Sequence, residues 1–368
     1  MAASDVIKRE YKGLVDGLID QLERAAYGEA RTTVQAILRL RPDDKAALDA
    51  QEFLEAQMVP WPIGREAACF TAHKSWVNCL AVTPDGCRAL SGSGGDISEG
   101  GLSDGRDRSI RIWDIAGGKE VGRLKKHSSR VTCVASSPTL PQVVSGSQGG
   151  TIILWDTSKG EVLRTLQRRK TGVHCLAFSP DGERILSGGQ DELLRLWSAA
   201  TGQRLCRLAG HSGPVTSVAF LPDGVGALSG SSDRSVRRWD LEKGAELGCL
   251  AGPEAAVLSL AVSRDGRCAV SGNSDNALCQ WDLADGRLRR RLLGHSNIVN
   301  SVAIARDGRR VLSASADKTV RLWDAESGQE ICRLLGHTDT VTSVTFALDD
   351  KFALSGGMDK TVRLWQLP

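Results

Sequence analysis

Between Gly294 and Leu335, hydrophobic and polar residues alternate in four short runs: Val299–Ile304, Arg310–Ser313, Thr319–Asp324 and Gln329–Leu334. An alternation of period two predicts strands whose side chains point to opposite faces. Arg306-Asp307-Gly308, Ala316-Asp317-Lys318 and Glu326-Ser327-Gly328 separate the runs and read as turns. Such a meander has two apolar faces and cannot bury both alone, so copies of it must stack. The copies are present. Trp113, Trp155, Trp197, Trp239, Trp281, Trp323 and Trp365 follow one another at intervals of 42 residues, and Asp follows five of them. Gly118, Gly160, Gly202, Gly244, Gly286 and Gly328 keep the same interval and open the last run of each unit.

This recurrence resembles the WD-repeat family of β-propellers, in which each unit is a four-stranded blade around a central channel. The resemblance implies an all-β chain, a seven-bladed propeller, over residues 61–368. Gly64–His73 aligns with Gly328–His337, while the last unit stops after Trp365 with three strands. The segment 64–72 is therefore expected to close blade 7, which would remove two exposed sheet edges.

Before Pro60 the period changes. Ile7, Tyr11, Leu14, Leu18, Leu22 and Ala25 fall at steps of three and four, which predicts an amphipathic helix. Thr32–Leu40 predicts a second helix, and the Ala-rich run after Asp44 a third. Residues 1–60 are thus expected to form a small α-helical segment. Ala30–Ala46 resembles half of a tetratricopeptide repeat. Such helices would pack on the propeller, pair with a second copy of the chain, or hold a peptide.

Composition narrows the functional classes. The 368 residues carry a net charge of +3, so no global field argues for nucleic acid or membrane. No aromatics interleave with the basic residues, which argues further against nucleic acid. Ten cysteines show no C-x-x-C and no pairing pattern. Cys79, Cys133 and Cys175 stand where other units carry Ser217, Ser259, Ser301 and Ser343, and read as small buried side chains rather than metal ligands. Free thiols in that number predict a reducing, cytoplasmic setting. The first residues lack an apolar signal core, and no cofactor motif is present.

Ser, His and Asp recur together in four of the units and imitate a hydrolytic triad. The full sets, with the tryptophan, are His73, Ser91, Asp107 and Trp113; His211, Ser229, Asp233 and Trp239; His295, Ser313, Asp317 and Trp323; and His337, Ser355, Asp359 and Trp365. In the family this chain resembles, the four side chains form a buried hydrogen-bonded chain. Four copies around a ring suit structure better than one catalytic site, so no catalytic residue is assigned. Gly149 replaces the Asp in blade 2, and Arg169 and Pro253 replace the His in blades 3 and 5. Those blades are expected to be locally weaker.

Blade 1 carries 12 additional residues between Ser91 and Asp107, in GSGGDISEGGLSDGR. Glycine, serine and acid predict a flexible loop rather than a strand. The resemblance places Trp76, Arg106, Arg130 and His174 on the top face, around the channel mouth of blades 1 to 3. Lys125, Lys126, Arg168, Arg169 and Lys170 enter the same sector. The function expected is a non-catalytic scaffold that docks an acidic or phosphorylated protein there, through Trp76, Arg106, Arg130, Arg169, Lys170 and His174. The second expectation is a small-molecule or phosphate sensor at the channel mouth.

Overall fold

The computed structural model describes residues 64–98, 101–168, 170–250 and 252–368, together with Ile37, which is helical and buried. For residues 97, 98, 101 and 102 it describes the backbone only. The chain divides into two units, Met1–Pro62 and Ile63–Pro368. The helices expected over residues 1–60, and chain pairing through them, lie outside the described residues.

Alternation produces strands throughout the second unit, and these assemble into seven four-stranded antiparallel sheets. Blade 6 sets the pattern with strand a at Val299–Ile304, strand b at Arg310–Ser315, strand c at Val320–Asp324 and strand d at Glu330–Leu334. Six blades use four strands in chain order, with a hairpin inserted in blade 1. Blade 7 takes its outer strand from the other end of the chain. Arg65–Phe70 pairs with Val362–Gln366, so Glu66 lies opposite Trp365 and Phe70 opposite Val362. In each blade the ladder between strands c and d slips by one residue beside the tryptophan, as between Leu322 and Trp323. Such a bulge bends the outer strand and increases its twist. At the c–d turn, Gly328 holds φ at 78° and its N–H reaches Asp324 O, a conformation that a residue with a Cβ resists.

The core is divided into seven parts, one per seam between neighbouring blades. Trp323 packs with Val270, Leu278 and Leu292 of blade 5, and Trp365 with Leu312, Leu322 and Leu334 of blade 6. Every repeated indole is buried against the blade before it. Sheets with two apolar faces therefore find their partners only when the ring is complete.

The long loop of blade 1 departs from the sequence reading, because it contains a two-stranded hairpin. Asp96–Ser98 pairs with Gly101–Ser103, and Ile97 lies opposite Leu102. The glycines and acids hid two apolar residues that lie opposite each other in the paired strands. The hairpin is tied to three blades. Lys360 of blade 7 reaches Asp96 at 3.3 Å, the Arg130 N–H of blade 2 donates to Asp104 at 3.4 Å, and Gly95 lies against the Trp76 ring of blade 1. Among the described residues no helix is long and apolar enough to cross a membrane.

Candidate functional site

Blades 1, 4, 6 and 7 each bring Trp, Ser, His and Asp together. In blade 6 the Trp323 Nε1–H donates to Ser313 Oγ at 2.8 Å. Ser313 lies 2.7 Å from His295 Nε2, and His295 Nδ1 lies 2.7 Å from Asp317. An indole can only donate, so the serine proton goes to Nε2 and Nδ1 carries the proton given to the carboxylate. Blades 1, 4 and 7 repeat the chain with His73–Ser91 and His211–Ser229 at 2.6 Å and His337–Ser355 at 2.7 Å. Each aspartate also accepts the N–H of the residue after His and the hydroxyl two residues beyond itself. In blade 4 these are Ser212 N–H and Ser235. Ser91, Ser229, Ser313 and Ser355 are wholly buried, so none presents a nucleophile to solvent.

Electrostatics follow burial. Burial lowers the pKa of His73, His211 and His295, against the pull of their aspartates. Burial alone would raise Asp233 and Asp359. Hydrogen bonds from imidazole and hydroxyl outweigh it and bring both down to about 2. The chain is thus a neutral imidazole held by an ionised carboxylate.

The structure adds two members that the sequence reading missed. Arg321 Nη1 pairs with Glu330 at 2.5 Å, and both side chains are less than one-tenth exposed. Arg111–Glu120, Arg237–Glu246 and Arg363–Glu66 repeat the pair, and Arg111 also reaches Asp107 at 2.9 Å. All four pairs fall in the four complete blades. The signal was legible as Arg two residues before Trp and Glu seven after it, with Glu66 supplied by the closing strand.

Departures in the other blades differ in kind. Blade 3 keeps Asp191 and blade 5 keeps Asp275, although the imidazole is lost from both. Arg195 takes Asp191 at 2.5 Å, and Arg291 takes Asp275. Blade 2 keeps His127 and lacks the carboxylate. His127 Nε2 meets Ser145 at 2.7 Å, but Nδ1 has no partner among the described residues, and burial pushes the imidazole down to about 4. Gln167 Oε1 of the same blade is also unpaired, although its amide reaches Gly150 O at 3.3 Å.

Around the channel mouth most of the polar groups serve the ring itself. Asn78 donates to Val131 O at 2.8 Å, and Asn300 to Val341 O at 2.9 Å. Thr132, Thr216 and Thr342 reach the first valine of the next blade in the same way. His174 and Leu258 interrupt this belt. A second belt lies deeper. Ser217, Ser259, Ser301 and Ser343 accept the N–H groups of Leu260, Val302, Val344 and Leu80. In blades 1 to 3 the position holds Cys79, Cys133 and Cys175, buried and in no disulfide, and burial pushes Cys133 up to about 12.

Of the predicted docking residues, Arg106 and Lys170 are exposed. Trp76 is half-buried, with Gly94 and Gly95 laid against Arg130 and the Trp76 ring. Arg130 and His174 are brought close. Burial lowers the His174 pKa, and the guanidinium charge lowers it further. Arg169 lies outside the described residues. Lys74, Arg106, Lys125 and Lys126 line one cleft of about 410 Å³ with His127. Among the described residues none of these four cations has a carboxylate partner.

A ring of seven antiparallel blades, locked by repeated Trp–Ser–His–Asp chains, defines a β-propeller of the WD type. The family model described as WD domain, G-beta repeat matches residues 64–114, 118–156, 160–198, 202–240, 244–282, 286–324 and 328–366. The chain belongs to this family, whose propellers generally serve as platforms for protein partners.

Proposed function

We propose that this protein is a non-catalytic scaffold that docks an acidic or phosphorylated protein segment on blades 1 to 3 of its top face. One observation carries the reading. Lys74, Arg106, Lys125 and Lys126 converge on a single cleft whose lining carboxylate, Asp107, is already held by His73 and Arg111. Arg168 and Lys170 stand exposed at the next blade. Some surface arginines elsewhere meet acids, as Arg306 meets Asp349 and Arg289 meets Asp282. Others such as Arg204 and Arg207 meet none among the described residues, but here four cations share one cleft. Uncompensated cations gathered in one sector attract an acidic partner and set its orientation. The repeated Ser–His–Asp sets offer no competing chemistry, since each is buried and bonded to itself. The sensor reading is weaker, because the channel mouth spends most of its polar groups on the belt. Ten free thiols suit a reducing compartment.

Affinity capture from the native cell tests the proposal. Lys125→Glu/Lys126→Glu with Lys170→Glu should lose the partner captured by the unaltered protein, and capture should weaken with salt. Ile298→Ala, at the position of blade 6 that matches Arg130 across the ring, should retain it. Equal capture by both variants would overturn the reading.

A further inference from the structure

Among the described residues, blade 2 contains the one departure from the tetrad that no other side chain repairs. Where the imidazole is missing, an arginine of the same blade takes the aspartate: Arg195 in blade 3 and Arg291 in blade 5. Where the aspartate is missing, no described residue replaces it. In a complete blade one carboxylate accepts three donors. For Asp317 these are His295 Nδ1, the Ser296 N–H and the Thr319 hydroxyl, at 2.7, 3.1 and 2.7 Å. Blade 2 retains all three donors as His127, Ser128 and Thr151. His127 Nδ1 is without a partner in a side chain more than nine-tenths buried. Neither the Ser128 N–H nor the Thr151 hydroxyl meets an acceptor among the described residues. A buried donor left unpaired costs more than an average hydrogen bond returns, so His127 Nδ1–H holds an unmet demand for an acceptor. Ser128, exposed, and Thr151, half-buried, offer further donors to the same anion.

The surroundings favour that anion. Gly149, at the place of the aspartate, is exposed, so the position is open on its outer side. Lys125 and Lys126 immediately precede His127, are exposed, and meet no carboxylate among the described residues. Arg108 of blade 1 donates to Ser128 O at 2.5 Å and holds the loop that carries these donors.

We propose that blade 2 takes its missing carboxylate from outside. An aspartate or glutamate side chain of an acidic peptide enters at the Gly149 turn and completes the blade. Its oxygens accept from His127 Nδ1–H, Ser128 N–H and the Thr151 hydroxyl, while Lys125 and Lys126 draw the acidic chain in. The donors are arranged for the two oxygens that Asp107, Asp233, Asp317 and Asp359 present in the complete blades. A carboxylate therefore fits better than a bulkier tetrahedral phosphoryl group. This inference rests on the docking reading above and narrows it to one chemical group at one turn.

The test supplies the carboxylate in cis. Blade 1 carries Asp107 beside Ser75 in the arrangement that Gly149→Asp would create beside Ser129. The variant should therefore melt higher than the unaltered protein. The probe is a short labelled peptide of alternating aspartate and glycine, compared at low salt with its asparagine and phosphoserine versions. The unaltered protein should bind the aspartate peptide at least tenfold more tightly than the other two. Gly149→Asp should lose at least tenfold in affinity with Lys125 and Lys126 intact. Where Gly149→Asp does not fold, Gly149→Asn fills the same turn and should show the same loss.

Three results would overturn the inference. They are unchanged binding by both Gly149 variants, tighter binding of the phosphoserine peptide, and no binding of the aspartate peptide by the unaltered protein. If Lys125→Glu/Lys126→Glu abolishes binding while Gly149→Asp retains it, the docking reading survives and this one does not. If both variants retain it, both readings fall.

Discussion

Blades 1, 4, 6 and 7 differ from blades 2, 3 and 5 by a network rather than by single residues. Each complete blade joins Trp, Ser, His and Asp to a partly or wholly buried Arg–Glu pair, so six side chains form one network, with Arg321 Nε left without a partner among the described residues of blade 6. Each incomplete blade lacks that pair. Of the six buried side-chain atoms without a partner among the described residues, His127 Nδ1, Gln167 Oε1, Arg195 Nε and Gln280 Oε1 fall in the incomplete blades. The inner serine belt draws a second contrast. It joins blades 4, 5, 6, 7 and 1 and gives way to cysteine across blades 1 to 3. Both kinds of relaxation overlap at blades 2 and 3, where the unpaired cations also gather. A ring can thus hold its shape through one arc and keep another arc adaptable for binding.

The largest effect comes from breaking a complete blade at its closure. Deleting residues 1–72 removes Arg65–Phe70, strips Glu66 from Arg363 and exposes the edge of Val362–Gln366. An unpaired edge beside an opened core should give aggregation in size-exclusion chromatography. Deleting residues 1–60 should leave a folded ring. A monomeric product with an unchanged Tm from the longer deletion would refute the closure.

Next in size is Glu330→Ala, which leaves Arg321 buried beside a single distant carboxylate, Asp317 at 3.8 Å. Stranding one partner of a buried pair costs about 3–5 kcal/mol. Denaturant titration should show that loss, whereas Val162→Ala at the matching position of blade 2 should cost far less.

Acid should separate the two classes of blade. The His127 imidazole has a folded pKa of about 4, below the usual 6.5. Between those values the unfolded chain binds more protons, so this contribution is present above pH 6.5 and is lost as pH falls to about 4. The loss is on the order of 3 kcal/mol. Asp233 and Asp359, held at about 2, lose their contribution only between pH 3.8 and 2. The imidazoles of His73, His211 and His295, also lowered by burial, are held against acid by the pull of their aspartates, which His127 lacks. Blade 2 should therefore fail first, and His127→Phe should flatten the dependence of Tm on pH between 6.5 and 4. An unchanged slope would show that the imidazole is already paired. A smaller effect, about 1–3 kcal/mol, is expected for His295→Ala, which strands Ser313 and Asp317. Stability unchanged by that substitution would refute the network.

The ring was legible in the sequence because its information is local and repeated. Tryptophan, turn glycine and period-two alternation each recur at one spacing, and stacking is the way to bury two apolar faces. The tetrads were legible for the same reason. The Arg–Glu pairs were present as text but join strands c and d, and in blade 7 the two ends of the chain, so their pairing depended on three-dimensional register. The hairpin of blade 1 was hidden because composition averages out two apolar residues, Ile97 and Leu102, that matter only when opposite each other. Which cations lack partners was also beyond the sequence, since a run such as Lys125-Lys126 reads the same whether or not an acid lies nearby.

The smallest expected effect asks the sharpest question about the comparison. Arg321→Ile/Glu330→Val gives blade 6 the residues that blade 2 carries as Ile153 and Val162, where Trp155 lies opposite Val162 as Trp323 lies opposite Glu330. Removing both charges leaves neither stranded, and apolar replacements of buried ion pairs are often neutral or stabilising. The double variant should therefore unfold within about 1 kcal/mol of the unaltered protein, although Glu330→Ala alone is costly. Such an outcome would mean that the complete blades gain specificity of register from the pair rather than stability. The slip at Leu322/Trp323 should then become less strictly fixed, visible as faster hydrogen exchange in Glu330–Leu334 at unchanged Tm. A loss as large as that of Glu330→Ala would instead make the pair a net stabiliser, and the contrast between the two classes of blade would be one of strength alone.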